Sequence, residues 1–300
     1  MVLGVATALA ALLAACARAG DRSAPVAVVD DAGDTVRLAG PPRRIVSLNP
    51  VITELVFALG AGDRLVGRTA SCDYPAAAAR VPSVGGWLPP SVEAVAARSP
   101  DLVVLYQGPT TAAPAAQLRA LGIAVLAYRT DRLADVSRVA RRLGAALGAG
   151  RAADSLASAY DSALARLRHT TRLPRSPTVA LVTWDQPLIV LGAGSFVSEM
   201  VELAGGRNVF DDFTASSLPV SLEALVLRAP RLVATVGTMS ARLGARPEWQ
   251  TVPAVRARRV LALVDPALAH PTPRAPGAIA AIRRQLDSAA RAPAAKETTR

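Results

Sequence analysis

The sequence predicts an α/β fold of two lobes with mostly parallel sheets, joined by a long backbone helix and facing each other across a cleft. Three observations carry this. The stretch Ser91-Val-Glu-Ala-Val-Ala-Ala-Arg-Ser-Pro-Asp-Leu-Val-Val104 recurs 130 positions later as Ser221-Leu-Glu-Ala-Leu-Val-Leu-Arg-Ala-Pro-Arg-Leu-Val-Ala234, with seven of fourteen positions identical. Two copies without a repetitive segment between them mark a duplicated lobe, not a solenoid. Short β-rich apolar runs alternate with helical patterns around both copies, the pattern of parallel sheets. Between them the chain reads as helix, where a flexible linker would be rich in Gly and Ser.

The elements follow in order. Arg44-Ile-Val-Ser-Leu48 reads as a short buried strand. Asn49 caps a helix with Pro50 at its first position, which Gly60 stops. Leu65-Val-Gly67 is the next strand, and turn-rich loops run through Ser71–Pro75 and Val84–Pro90. In each repeat Ser caps a helix with apolar residues at helical spacing, and Pro follows the last turn before a buried strand. Leu102–Tyr106, a helix around Pro114–Leu121 and Ile123–Ala127 complete the first alternation. Leu133–Leu147 and Arg151–Thr170 are the connecting helices. The second carries an apolar stripe of Leu156, Tyr160, Leu164 and Leu167, and at ~1.5 Å per residue spans ~30 Å, enough to cross between lobes. A helical connection of this kind predicts small lobe movements. The second alternation restarts at Val179–Trp184 and ends with a helix near 277–290. The division expected is a signal segment over 1–16, a spacer over 17–41, lobe one over 42–130, connecting helices over 131–172, lobe two over 173–291, and an unstructured tail over 292–300.

Composition narrows the function class. The formal charge is +11, yet the basic residues are scattered and accompany no nucleic-acid-binding signature, so no nucleic-acid partner is expected. Two cysteines occur, Cys16 and Cys72. Cys16 ends an uncharged apolar run too short to span a bilayer, and Leu13-Ala-Ala-Cys16 has the order of a bacterial lipoprotein signal. A lipid on Cys16 would tether the domain to a membrane at the periplasm or cell surface; the other reading of the run is a buried N-terminal helix. Lipidation leaves Cys72 unpaired, so no disulfide forms within a monomer. Neither a phosphate-cradling glycine loop nor a nucleophile elbow is present, and the two histidines lie far apart in sequence, so no enzyme is expected.

Arg44–Gly60, Asp73-Tyr-Pro75, Ser99-Pro-Asp-Leu-Val103, Leu121-Gly-Ile-Ala-Val125, Leu203–Phe210 and Trp249–Val255, in that order and spacing, resemble the ABC-transporter substrate-binding proteins that deliver vitamin B12, ferric siderophores or haem. The resemblance extends from about Val28 to Leu286. It implies two α/β lobes on a backbone helix, no catalysis, no resident cofactor, and a monomer that hands its ligand to a permease and ATPase complex. The ligand implied is a cobalt corrinoid or, in the alternative, an iron chelate such as a ferric siderophore or haem.

Site residues follow. Glu93 and Glu223 hold the same place in the two repeats. The plain reading is a helix N-terminal carboxylate favoured by the macrodipole, at ~0.3–1 kcal/mol; the resemblance implies that they dock the permease. Aromatics make up 4% of the chain, which makes their placement informative. Tyr74, Trp87 and Tyr106 fall in loops or at strand ends, the rim where open α/β sheets bind ligands, and Trp184 ends the first strand of lobe two. In the vitamin B12 branch, residues matching Tyr74, Trp87 and Tyr106 line the pocket. The plain reading is that these aromatics fill the lobe cores. His270 follows the last strand and is expected to face the cleft, where imidazole could coordinate a metal or bond a ligand amide. Cys72 is read as a buried thiol rather than a soft ligand, Trp249 as structural, and His169 as solvated. Lobe two departs from the B12 pattern, since Ser216-Ser-Leu-Pro219 stands where that branch carries an aromatic. Arg68, Arg129 and Arg207 are candidates to meet an anionic siderophore.

Overall fold

The computed structural model describes residues 25–86, 88–170, 176–236 and 239–291, so Cys16, Trp87 and the tail from 292 lie outside the described residues. Strands β1 (Val26–Val29) and β2 (Thr35–Leu38) form an antiparallel hairpin. β3 (Ile45–Ser47), α1 (Pro50–Ala58), β4 (Leu65–Arg68), α2 (Val92–Ala96), β5 (Leu102–Tyr106), α3 (Pro109–Ala120) and β6 (Ala124–Tyr128) build lobe one on an all-parallel sheet of order β4-β3-β5-β6. Helices α4 (Leu133–Leu147) and α5 (Gly150–Thr170) follow. Lobe two contains β7 (Thr178–Asp185), β8 (Leu188–Leu191), α6 (Phe196–Leu203), β9 (Arg207–Asn208), β10 (Ser217–Pro219), α7 (Leu222–Leu227), β11 (Leu232–Val236), α8 (Ser240–Ala245), α9 (Pro253–Arg256), β12 (Val260–Leu263) and α10 (Ala275–Arg291).

The duplication read from sequence is repeated in three dimensions. Ser91 Oγ accepts from Ala94 N at 3.2 Å, and Ser221 Oγ accepts from Ala224 N at 3.1 Å. Both short helices stop at a non-glycine residue in the left-handed region, Ser99 (φ 48°) and Ala229 (φ 44°), each followed by a buried proline. Each then enters a five-residue strand whose first four residues are buried. Exposure matches position by position over the ten residues from each Ser to its Pro.

Lobe two is less regular than expected. β7, β9, β11 and β12 pair in parallel, but β8 and β10 extend the sheet as antiparallel strands. The physical reason is local: the two residues Gln186 and Pro187 turn the chain straight back on itself, and a connection that short permits only antiparallel pairing.

A second difference lies at the start of the chain. The segment read as a spacer folds from Val26 onward, because Val28 and Leu38 bury against lobe one and Asp30 ties the hairpin down. The Asp30 carboxylate accepts from Ala32 N, Asp34 N and Ala127 N at 2.9–3.0 Å. Asp31 meets Arg138 and Arg142 of α4, and its carboxyl is lowered below the ordinary range: burial opposes ionisation, but the bonds from Arg138 and the Arg129 amide outweigh it.

The helical connection is packed rather than exposed. Gly148, at φ 71°, ends α4, and α5 returns so closely that a Cβ on Gly144 would lie 2.2 Å from Ala153 Cβ. One apolar cluster runs from Val51 and Leu55 of lobe one, through Leu143, Tyr160 and Leu164, to Met200 and Leu286 of lobe two. Separate clusters fill the other face of each sheet, one around Val46, Val103 and Leu118, the other around Phe210, Trp249 and Val255. Among the described residues no helix is long and apolar enough to cross a membrane.

Candidate ligand site between the lobes

Two helix N-termini open onto the cleft, one from each lobe. Asn49 caps α1, accepting from Val51 N at 2.8 Å, while its amide Nδ2 donates to Thr130 Oγ1 at 3.0 Å. Ser195 caps α6 from the other side, accepting from Val197 N at 3.2 Å. Both line a cavity of about 680 Å³ together with Leu88, Tyr106, Phe196, Ser216, Ser217 and His270. Neutral donors and acceptors share its walls with apolar side chains such as Leu191 and Phe196, and the positive ends of two helix dipoles face inward. Arg129 and Asp131 supply its charge; they pair with each other at 3.3 Å. Tyr106 Oη donates to Asp131 Oδ1 at 2.8 Å, and burial first, then this carboxylate, pushes the phenol above its ordinary value.

A second cavity of about 520 Å³ lies alongside, lined by Glu54, Asp73, Tyr74 and Arg274, and it shares Ala269 and His270 with the first. Glu54 of α1 and Arg274, just before α10, meet across it. Arg274 Nε donates to Glu54 Oε2 at 3.0 Å and Nη2 to Oε1 at 2.6 Å. The guanidinium carbon also sits 4.0 Å from the centre of the Tyr74 ring, within cation–π range. Burial pushes the Glu54 carboxyl up despite Arg274, and lowers His270, so the imidazole at the junction of the two cavities favours its neutral form.

A tie between lobe two and the connecting helices lies at the edge of the first cavity. Glu199 of α6 accepts from Arg132 Nε at 2.8 Å and from Leu133 N, at the start of α4, at 3.0 Å. Arg132 Nη1 donates to Ala193 O at 3.0 Å.

Of the residues singled out from sequence, Tyr106 and His270 line the larger cavity, and Tyr74 and His270 the smaller. Trp87 lies outside the described residues, although its neighbour Leu88 lines the larger cavity. Trp184 is not brought to either cavity. It is 56% exposed at the β7–β8 turn, where its indole N–H donates to Gln186 O at 2.7 Å. β8 carries the chain away from that turn before Leu191 reaches the cavity, so the hairpin separates Trp184 from the site. Cys72 is fully buried beside Thr69 Oγ1 at 3.1 Å, and burial pushes its thiol up. Trp249 is buried within lobe two and His169 is exposed at the end of α5. Of the three candidate arginines only Arg129 reaches a cavity, since Arg68 spends its guanidinium on Ala78 O and Thr69 O and Arg207 is exposed on β9. Glu54 and Arg274 were missed: they lie 220 residues apart, and neither string shows a partner. The signal was at hand in Pro273-Arg274, four residues after His270, an Arg at a helix start where a dipole alone disfavours it.

Two lobes, a shared helix and an interlobe cleft are the geometry of a binding protein, and the sequence matches the family model described as periplasmic binding protein over residues 45–267. The chain belongs to the periplasmic binding protein family. A vitamin B12-binding protein of Yersinia pestis (strain Pestoides F) is 32% identical to this periplasmic binding protein over 201 residues, 66% of this chain and 70% of that one. Among solved structures, the periplasmic haem-binding protein RhuT from Roseiflexus sp. RS-1 superposes with a TM-score of 0.75 at 27% identity, covering 83% of this chain and 99% of that one. The periplasmic vitamin B12 binding protein BtuF of Vibrio cholerae gives 0.73 at 27%, covering 84% and 99%. The haem-binding protein BhuT in complex with two haems gives 0.74 at 30%, covering 83% and 99%. The family and fold are those of solute-binding proteins of ABC importers, not of enzymes.

Proposed function

We propose that the chain captures a corrinoid in the interlobe cleft and delivers it to the permease and ATPase complex of an ABC importer. The observation that carries this is the larger cavity: about 680 Å³ walled by Tyr106, by the hydroxyls of Ser195, Ser216 and Ser217 and by the Asn49 amide. A flat ring finds an aromatic contact there, and the amide groups around a corrin find neutral hydrogen-bond partners. The 32% identity to a vitamin B12-binding protein supports the same reading. Tyr74, Trp87, Tyr106 and His270 are the ligand residues proposed. Trp184, at its exposed turn, is left out of this set.

Haem is the second reading, favoured by His270, whose lowered proton affinity keeps a ring nitrogen available to a metal, and by Arg274 beside it. Titration of the chain from residue 17 with cyanocobalamin, haemin and a ferric siderophore tests both. Saturable one-to-one binding of cyanocobalamin alone is expected. Binding of haemin or the siderophore alone would overturn the corrinoid and keep the carrier.

Docking is assigned to Glu93 and Glu223. Both are exposed at matched positions and neither makes a salt bridge among the described residues. The amide of Glu223 and the Ser221 hydroxyl lower its carboxyl below the ordinary range, so it stays ionised. Changing both to Arg should abolish uptake in cells while the Kd for ligand stays within about 2-fold, since exposed charges at a rim act on partner choice. A lost affinity would place them in the site instead. A lipid on Cys16 would hold the monomer at the membrane, and mass spectrometry of the membrane fraction tests it: an unmodified N-terminus there would refute the anchor.

A further inference from the structure

We propose that Arg274 reads an oxyanion on the ligand, and that Glu54 is the internal counterpart of that group, released from Arg274 when the ligand docks. The inference rests on the cleft being the ligand site. Glu54 and Arg274 are the bidentate pair that joins lobe one to lobe two across the smaller cavity, and both line it. A tie that only held the lobes together would have no need to sit in the wall of a 520 Å³ space that shares Ala269 and His270 with the larger cavity.

The pair is unequal. Glu54's side chain is 6% exposed and Arg274's 28%, so the cation is the partner an incoming group can reach. Arg274 Nη1 makes no hydrogen bond among the described residues, which leaves donors for a second acceptor. The Tyr74 ring lies 4.0 Å from the guanidinium carbon, an aromatic support for the planar fork as it turns from Glu54 to an oxyanion. Glu54 sits where burial opposes its charge; when Arg274 turns to the ligand, the carboxylate takes one proton from solvent. The other ionisable groups facing it are Asp73, His270 and Tyr74. Asp73 repels a second negative charge and so favours proton uptake by Glu54.

The oxyanion has two possible sources, a phosphodiester on a corrinoid or a carboxylate on a porphyrin. Two ligand pairs distinguish them: cyanocobalamin against dicyanocobinamide, which lacks the nucleotide and its phosphodiester, and haemin against haemin dimethyl ester. Each Kd is measured on the unmodified chain, on Arg274→Gln, on Glu54→Gln, and on the double variant, which leaves two neutral amides in place of the pair and guards against misfolding from a stranded charge. The unmodified chain should prefer the oxyanion-bearing member of one pair by roughly 10–100-fold, the range of a charge-assisted bond. Arg274→Gln and the double variant should bring that ratio near one, with the neutral member changed by less than about 3-fold in the double variant. Glu54→Gln should keep the preference and abolish the proton uptake seen by calorimetry in two buffers of different ionisation enthalpy. If both members of a pair weaken equally in the double variant, or the ratio survives without Arg274, the pair is a lobe tie only and the proposal falls. If none of the four ligands binds the unmodified chain, the corrinoid and haem readings on which the proposal rests both fail, a result distinguishable because it needs no variant.

Discussion

Glu199→Ala should cost about 2 kcal/mol of stability, an amount set by what the carboxylate holds. It is one-quarter exposed and accepts from the Leu133 amide at 3.0 Å, so from lobe two it satisfies an otherwise orphaned N–H at the start of the connecting helix α4. A charged hydrogen bond of this kind is worth ~1.5 kcal/mol. Its second bond, to Arg132 at 2.5–2.8 Å, involves a guanidinium 39% exposed, so solvent screening reduces it to roughly 0.5–1 kcal/mol. With a urea slope of about 2–3 kcal/mol/M, the midpoint should fall by roughly 0.7–1 M. Glu199→Gln keeps an acceptor for Leu133 N and should lose about half as much. Ligand Kd should rise in the Ala variant, because Arg132 also positions Ala193, next to the cavity-lining Gly194. A midpoint shift below 0.2 M in Glu199→Ala, or equal losses in the two variants, would refute the view that α6 caps α4 across the cleft.

His270 binds its proton less readily in the folded chain than the usual imidazole value of 6.5, so its contribution to stability is complete above that value and declines as pH falls through the lowered one; the urea midpoint should drop in that window, and the drop should shrink in His270→Gln. Gly194→Ala places a Cβ 2.2 Å from Thr214 O and 2.8 Å from Ala215 C, so the 213–216 loop must shift, at roughly 1–3 kcal/mol of overpacking, with weakened ligand binding by titration. Cys72, buried and with its thiol pushed up, should react with iodoacetamide at pH 8 at least about 100-fold more slowly than in denaturant; prompt labelling would show the Ser71–Tyr74 loop to be open.

The periodic parts of the fold were legible because each is local. Ser91 and Ser221 cap their helices, and Asn49 and Pro50 start α1, as their side-chain chemistry dictates. The connecting helices lie within a residue of where the apolar stripe puts them. The hairpin at 26–38 was not legible, because its stability comes from Asp30 reaching Ala127, 97 residues away. The same holds for the site. That Tyr74, Tyr106 and His270 line cavities is in keeping with residue type and place in the alternation, whereas the partners of Glu54, Arg274 and Glu199 are set only when distant parts of the chain are brought together. Trp184 shows the opposite error: a strand end is a rim only when the next strand does not fold back beside it.

With a lipid on Cys16, the hairpin would also set a leash. If the chain hung freely from a lipid on Cys16 to residue 41, the intervening 24 residues could stretch to about 85 Å at ~3.4 Å per step, and the body could wander well clear of the bilayer. Because Val26 is already stitched to lobe one, only nine residues separate it from Cys16, a reach of about 35 Å. On so short a tether from a lipid, the body would stay beside the membrane surface and search it in two dimensions.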